Sequence, residues 1–196
     1  MTINPKQITN TNRTKSELEA FWIFCIVVAG KNSDWASRTV AKFLSKRGEL
    51  SPFAFIRSLG DNALHNTLVA NRVGQYGRIH RAITQSLSLD LQTATVDDLT
   101  SVFGVGSKTA RFFLVHSRED VEHAVLDTHI LKWLSRRIEN VPKSTPPEKT
   151  YLKLEKKFIS LAKAEFPNMT IAQIDLLIWM QESGRLDQDN ISPKLP

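Results

Sequence analysis

Apolar residues along this chain recur at spacings of three and four, and no run sustains the alternation of a strand, so the pattern predicts an all-α fold. The stretch Leu18 to Val28 is apolar on every side and predicts a buried helix, opened by a capping box at Thr14 and Glu17. Lys31-Asn32-Ser33-Asp34 reads as a loop in which Asp34 caps the amphipathic helix Trp35 to Leu44. Ser51-Pro52 starts another helix, with Phe53, Phe55, Ile56 and Leu59 on its apolar face, and Asp61 is expected to cap the one after it. Gly74 and Gly77 bracket a turn before Ile79 to Leu87. Thr95 and Asp98 form a second capping box, and Asp127 stands where it can cap Thr128 to Ile138. The proline-bearing segment 139–149 is a loop before two amphipathic helices, Tyr151 to Glu165 and Thr170 to Glu182. Residues 1–13 have no periodicity and predict an arm, and the tail from Arg185 is polar.

Between the helix opened at Thr95 and the one that follows lies only Gly104-Val105-Gly106, after which Ser107 and Lys108 begin the next run. Two helices joined so tightly form a hairpin. Glycines at both ends allow positive φ and a close approach to the main chain, and the amides that open the second helix suit a phosphate oxygen.

Composition narrows the partners. The 196 residues fit one domain or two packed lobes, and a net charge of +6 with a pI near 9.5 favours a polyanion. A single cysteine, Cys25, excludes an internal disulfide framework and a four-cysteine cluster, and the histidines show no metal-ligand spacing. The longest apolar run is too short for a bilayer and the N-terminus lacks a signal layout, which predicts an intracellular protein with no membrane partner.

Gly-Val-Gly-Ser-Lys-Thr-Ala at 104–110, followed by Leu-Asp-Thr-His at 126–129, resembles the helix-hairpin-helix DNA glycosylase superfamily, which includes endonuclease III and the 8-oxoguanine DNA glycosylases. Val73-Gly74-Gln75-Tyr76 is similar to a further segment of that family. The resemblance implies a single glycosylase domain over 1–196, with two helical lobes and a cleft between them for a flipped base. One lobe would span 33–127 with the hairpin at 95–117, the other 14–32 plus 128–184, leaving 185–196 as a tail. With a single cysteine the chain resembles the iron–sulfur-free branch, without cofactor or metal except a monovalent cation at the hairpin.

By the same resemblance the chemistry is base excision repair by a bifunctional DNA glycosylase and abasic-site lyase. Lys108 would form a Schiff base with the sugar, and the Asp127 carboxylate would offset positive charge on it or accept a proton. Gly104, Val105, Gly106, Ser107, Thr109, Lys31, Asn32, Arg78 and Arg81 would contact DNA. Endonuclease III relatives tend to carry glutamine at the place of Lys31, so the wedge residue stays open; with proline usual in the family at that of Phe103, the two departures also leave open an altered chemistry on modified bases. The expected partner is double-stranded DNA with a damaged base, met by a monomer in a DNA-containing compartment, the cytoplasm or nucleoid of a prokaryote. 8-Oxoguanine is the first expectation for that base; oxidised pyrimidines, or a non-catalytic DNA-binding hairpin module, are the alternatives. Trp22, Phe24 and Trp179 suit stacking on a base and core packing equally.

Overall fold

The computed structural model describes residues 2–119 and 121–185, so the polar tail beyond Arg185 lies outside the described residues. Every regular element among them is helical, and the chain divides into two compact units, Met1–Glu119 and Asp120–Pro196.

The first unit is built round α1 (Lys15–Val28). Its capping box is formed as expected, with Thr14 N–H donating to Glu17 Oε2 at 2.8 Å and Glu17 N–H to Thr14 Oγ1 at 3.3 Å. Each residue from Leu18 to Val27 is buried. A helix apolar on all sides needs neighbours on all sides, and α1 packs against α2 (Ser33–Leu44), α3 (Pro52–Ala70), α4 (Tyr76–Ser86) and α6 (Ser107–Ser117). The expectation that 14–32 would group with the C-terminal helices differs from this division, since these four neighbours all belong to Met1–Glu119. Rings of Phe21, Phe24, Phe112 and Phe113 gather at its centre, with Trp22 meeting Phe113 edge-on at 5.2 Å. Trp22 satisfies its indole N–H by donating to Ser86 Oγ at 2.7 Å. Trp22 and Phe24 are fully buried and are core residues.

Three local expectations change. Asn32, in extended conformation, caps α2 by accepting from Trp35 N–H at 3.0 Å, so Asp34 falls inside the first turn. The two helices expected round Asp61 form one span, α3, broken at Gly60, whose φ of 70° and ψ of 172° leave Asp61 as the first residue past the break. The arm, described over 2–13, is docked. Asn10 N–H donates to His116 O at 3.1 Å, Thr9 Oγ1 pairs with His116 Nδ1 at 2.9 Å, and the Arg13 guanidinium lies 3.9 Å from the Phe21 ring centre while donating to His116 O at 2.6 Å. These residues and His116 are more than 100 positions apart, beyond what local periodicity can register.

In the second unit α9 (Ile171–Glu182), opened by a capping box at Thr170 and Gln173, packs on α7 (Thr128–Ser135) and α8 (Glu148–Glu165). Trp133 meets Phe158 edge-on at 5.4 Å in its core. α7 ends at Ser135 rather than Ile138, and Asn140, with φ of 59°, marks the turn beyond it.

Candidate functional site

The hairpin consists of α5 (Val96–Thr100), the turn and α6. Thr95 and Asp98 make the expected capping box at its start. Within the turn, Val105 is a buried anchor whose N–H donates to Val102 O at 3.1 Å, while Phe103, Gly104 and Gly106 are exposed. Gly104 has φ of 73°, a conformation open to glycine at no steric cost. Gly106 occupies the cap of α6, and the first intrahelical bonds run from Thr109 and Ala110 N–H to its carbonyl, at 2.9 and 3.1 Å. The main-chain N–H of Lys108 therefore precedes the helical ladder. Thr109 is buried, so only its neighbours Ser107 and Lys108 present partly exposed side chains there.

Three residues of α4 hold this turn. Arg78 donates from Nη1 to Gly104 O at 3.3 Å, from Nη2 to Ile26 O at 2.9 Å and from Nε to Gln75 Oε1 at 2.7 Å. Arg81 lays its guanidinium over the Phe103 ring, 4.1 Å from its centre. Gln85 accepts the Phe103 N–H at 2.7 Å. Arg78 was expected on DNA; its side chain is instead half-buried and engaged with the protein main chain, whereas Arg81 is exposed. Gln85 escaped the sequence reading, although it lies one helical turn beyond Arg81 on the same face.

Lys31 stands close by. Its Nζ donates to Val73 O at 2.6 Å and lies 5.1 Å from the centre of the Trp35 ring. Partial burial, helped by the Arg78 charge, pushes its pKa down to about 8. The turn it holds is unusual, because Arg72 and Gln75 both take positive φ, 52° and 45°, on either side of Gly74. Non-glycine residues in that region cost about 1–3 kcal/mol each and persist where surroundings enforce them. Asn32, exposed, is spent on capping α2.

Lys108 enters the first turn of α6, and its charge reaches the Cys25 thiol on α1. Burial pushes that thiol well above the usual range, with Arg13 and Lys108 drawing it the other way, so Cys25 is an inert core residue. Among the described residues no group of three or more His, Cys, Asp or Glu side chains could hold a metal ion.

Asp127 belongs to the second unit and is the cap the sequence predicts. Its Oδ1 accepts from His129 and Ile130 N–H, both at 2.9 Å. The strap leading to it is fixed by two buried side chains of α8. Tyr151 Oη donates to Ala124 O at 2.7 Å and accepts from Leu126 N–H at 2.9 Å, and Glu155 Oε1 accepts from Ala124 N–H at 2.8 Å. Neither was visible as a site residue in the sequence, where both read as ordinary positions on an amphipathic helix.

No protein-family model matches the chain. Over 137 residues it is 34% identical to the 8-oxoguanine DNA glycosylase/AP lyase of Thermoplasma volcanium, an alignment covering 64% of this chain and 65% of the length of that relative. The 8-oxoguanine glycosylase/lyase of Methanocaldococcus jannaschii, solved in complex with a 15mer DNA containing 8-oxoguanine, superposes with a TM-score of 0.70 at 21% identity, over 90% of this chain and 86% of that one. The 8-oxoguanine DNA glycosylase of Thermotoga maritima gives a TM-score of 0.65 at 22% identity, over 94% and 89% of the two chains. The chain therefore shares the all-helical fold of the solved 8-oxoguanine DNA glycosylases.

Proposed function

We propose that this chain is a DNA glycosylase with associated abasic-site lyase activity, that it removes 8-oxoguanine from double-stranded DNA, and that Lys108 and Asp127 carry the chemistry. The observation that carries the reading is the hairpin itself, with a lysine in the first turn of its second helix and an ordered aspartate opening α7. The relative from Thermoplasma volcanium supports the activity, and the DNA complex of the Methanocaldococcus jannaschii protein supports the substrate.

In this reading the exposed main chain at Gly104 and Gly106, with the first-turn amide of Lys108 and the side chain of Arg81, grips the phosphate backbone. Val105 and Thr109, whose side chains are buried and whose N–H groups bond Val102 O and Gly106 O, shape the turn and do not contact the phosphate themselves. Flipping the damaged nucleotide costs a few kcal/mol, less at a weakened pair. Lys108 Nζ, as the neutral amine, then bonds to C1′ as the bond from C1′ to the base breaks and the base leaves with its electron pair. Asp127, ionised and held by two main-chain N–H groups, offsets the positive charge that develops on the sugar. The C1′–O4′ bond of the resulting aminal then opens, O4′ taking the proton the amine gives up, and the imine so formed permits loss of the C2′ proton and of the 3′ phosphate before water returns the amine.

A monovalent cation at the turn would compete with the Arg78 guanidinium already on Gly104 O. The turn fits such an ion poorly, and no step above passes through one. The protein would work as a monomer in a DNA-containing compartment, in keeping with a net charge of +6; no helix among the described residues is long and apolar enough to cross a membrane.

The test is a panel of duplexes, each with one defined lesion, assayed under single turnover with borohydride present. Release of 8-oxoguanine with a trapped covalent complex, both lost in Lys108→Gln while binding persists, is the expected result. Preferential release of an oxidised pyrimidine would change the substrate, and binding without release of any base would leave a non-catalytic hairpin module.

A further inference from the structure

Lys31 combines features that its expected role as a DNA contact does not use. It is a half-buried amine in the loop between α1 and α2, with one N–H spent on Val73 O at 2.6 Å and the Trp35 ring on one side. Arg78, the charge that acts on it, is bonded to Gly104 O in the hairpin turn. The amine is thus within electrostatic reach of the guanidinium that bonds the main chain placed on DNA in the reading above, inside the first unit throughout. Its hydrogen bond to a carbonyl employs a proton of the amine, not its lone pair, so a neutral Lys31 keeps the pair for attack.

We propose that Lys31 is a second Schiff-base amine, which acts on abasic sites already present in DNA and gives the chain a lyase activity independent of Lys108. The proposal rests on the DNA-binding reading of the hairpin. An abasic deoxyribose opens to a free aldehyde at C1′, so no base has to be expelled and no charge on an oxocarbenium has to be offset. An accessible neutral amine near the backbone is the sole requirement. Lys31 Nζ adds to the aldehyde carbon, the carbinolamine loses water, and an imine forms. Loss of the C2′ proton to water expels the 3′ phosphate with the electrons of its C–O bond. Hydrolysis of the imine returns the lysine and leaves an unsaturated aldehyde on the cut strand.

Desolvation beside a second cation is a known way to make a lysine nucleophilic. With a pKa of about 8, roughly a quarter of Lys31 is neutral at pH 7.5, against about one part in a thousand for an unperturbed lysine.

Borohydride trapping on two duplexes tests this, one with a preformed abasic site and one with 8-oxoguanine. The proteins are wild type, Lys108→Gln, and Lys108→Gln with Lys31→Arg, which keeps charge and a donor for Val73 O but forms no Schiff base. Lys108→Gln is expected to lose trapping on 8-oxoguanine yet retain it on the abasic duplex, with the adduct mapping to the peptide that carries Lys31. The double variant is expected to lose roughly tenfold or more of that remaining abasic trapping. Loss of abasic trapping in Lys108→Gln alone, an adduct on another amine, or undiminished trapping in the double variant would overturn the proposal. Release of 8-oxoguanine by Lys108→Gln would instead sink the role of Lys108, a separate outcome read on the other duplex.

Discussion

The carbonyl of Gly104 accepts from Arg78 Nη1 at 3.3 Å, and a β-carbon on Gly104 would meet Cγ of the same arginine at 2.7 Å. Position 104 is thus closed to other residues twice over, by its φ of 73° and by the side chain that holds it. Gly104→Ala should cost about 1–3 kcal/mol and displace Arg78. Affinity for damaged and undamaged duplex should fall together, because the loss is in backbone grip. Fluorescence anisotropy with both duplexes checks this; loss confined to the damaged one would remove the hairpin from the anchoring role.

Asp127→Asn keeps an acceptor for the His129 and Ile130 amides, and asparagine caps about as well as aspartate. The melting temperature should therefore stay close to wild type while single-turnover excision falls on the order of a hundredfold or more through loss of the negative charge. Near-normal excision would leave Asp127 a helix cap and nothing else.

Tyr151→Phe removes one hydroxyl and leaves two buried main-chain groups, Ala124 O and Leu126 N–H, without it. A destabilisation of about 1–3 kcal/mol is expected from denaturant titration. Because the strap carries Asp127, excision per folded molecule should drop as well, with affinity for undamaged duplex retained. A stability loss with unchanged excision would show that the strap does not position the aspartate.

Lys31 makes the stability of the chain depend on pH. Its folded value of about 8 lies below the 10.5 of an ordinary lysine, so between those limits the unfolded chain holds more protons and stability rises with pH; below about 8 the cost is present in full. Lys31→Gln removes that cost. The melting temperature of the variant relative to wild type should be most favourable at pH 7 and decline toward pH 10, whereas a constant difference would mean that the amine is not desolvated.

Capping boxes, the all-apolar helix and the glycine hairpin could be read from the chain because each is a local pattern, with its partners within four residues. Thr14 with Glu17, Thr95 with Asp98 and Asp127 with Ile130 all behave so. What could not be read depends on distant contacts. Arg78 turns inward because carbonyls at Ile26 and Gly104 converge on it, and Glu19 is buried on α1 because its carboxylate takes the Phe53 N–H at 2.9 Å. Gly60 breaks α3 without dividing it into separately capped helices. Lys31 and Tyr151 acquire their roles from residues 42 and 27 positions away, Val73 and Ala124.

The docked arm also bears on synthesis. Thr9, Asn10 and Arg13 are made more than 100 residues before His116, which supplies groups that hold them. Ser37 of α2 can donate to Ile3 O early, but Thr9 and Asn10 have no His116 to dock on until α6 has cleared the ribosome, and contacts of such long sequence separation form late and slowly. For several seconds in every round of synthesis, at about 5–20 residues per second, the apolar surface of α1 must wait beside a stretch still undocked from α6.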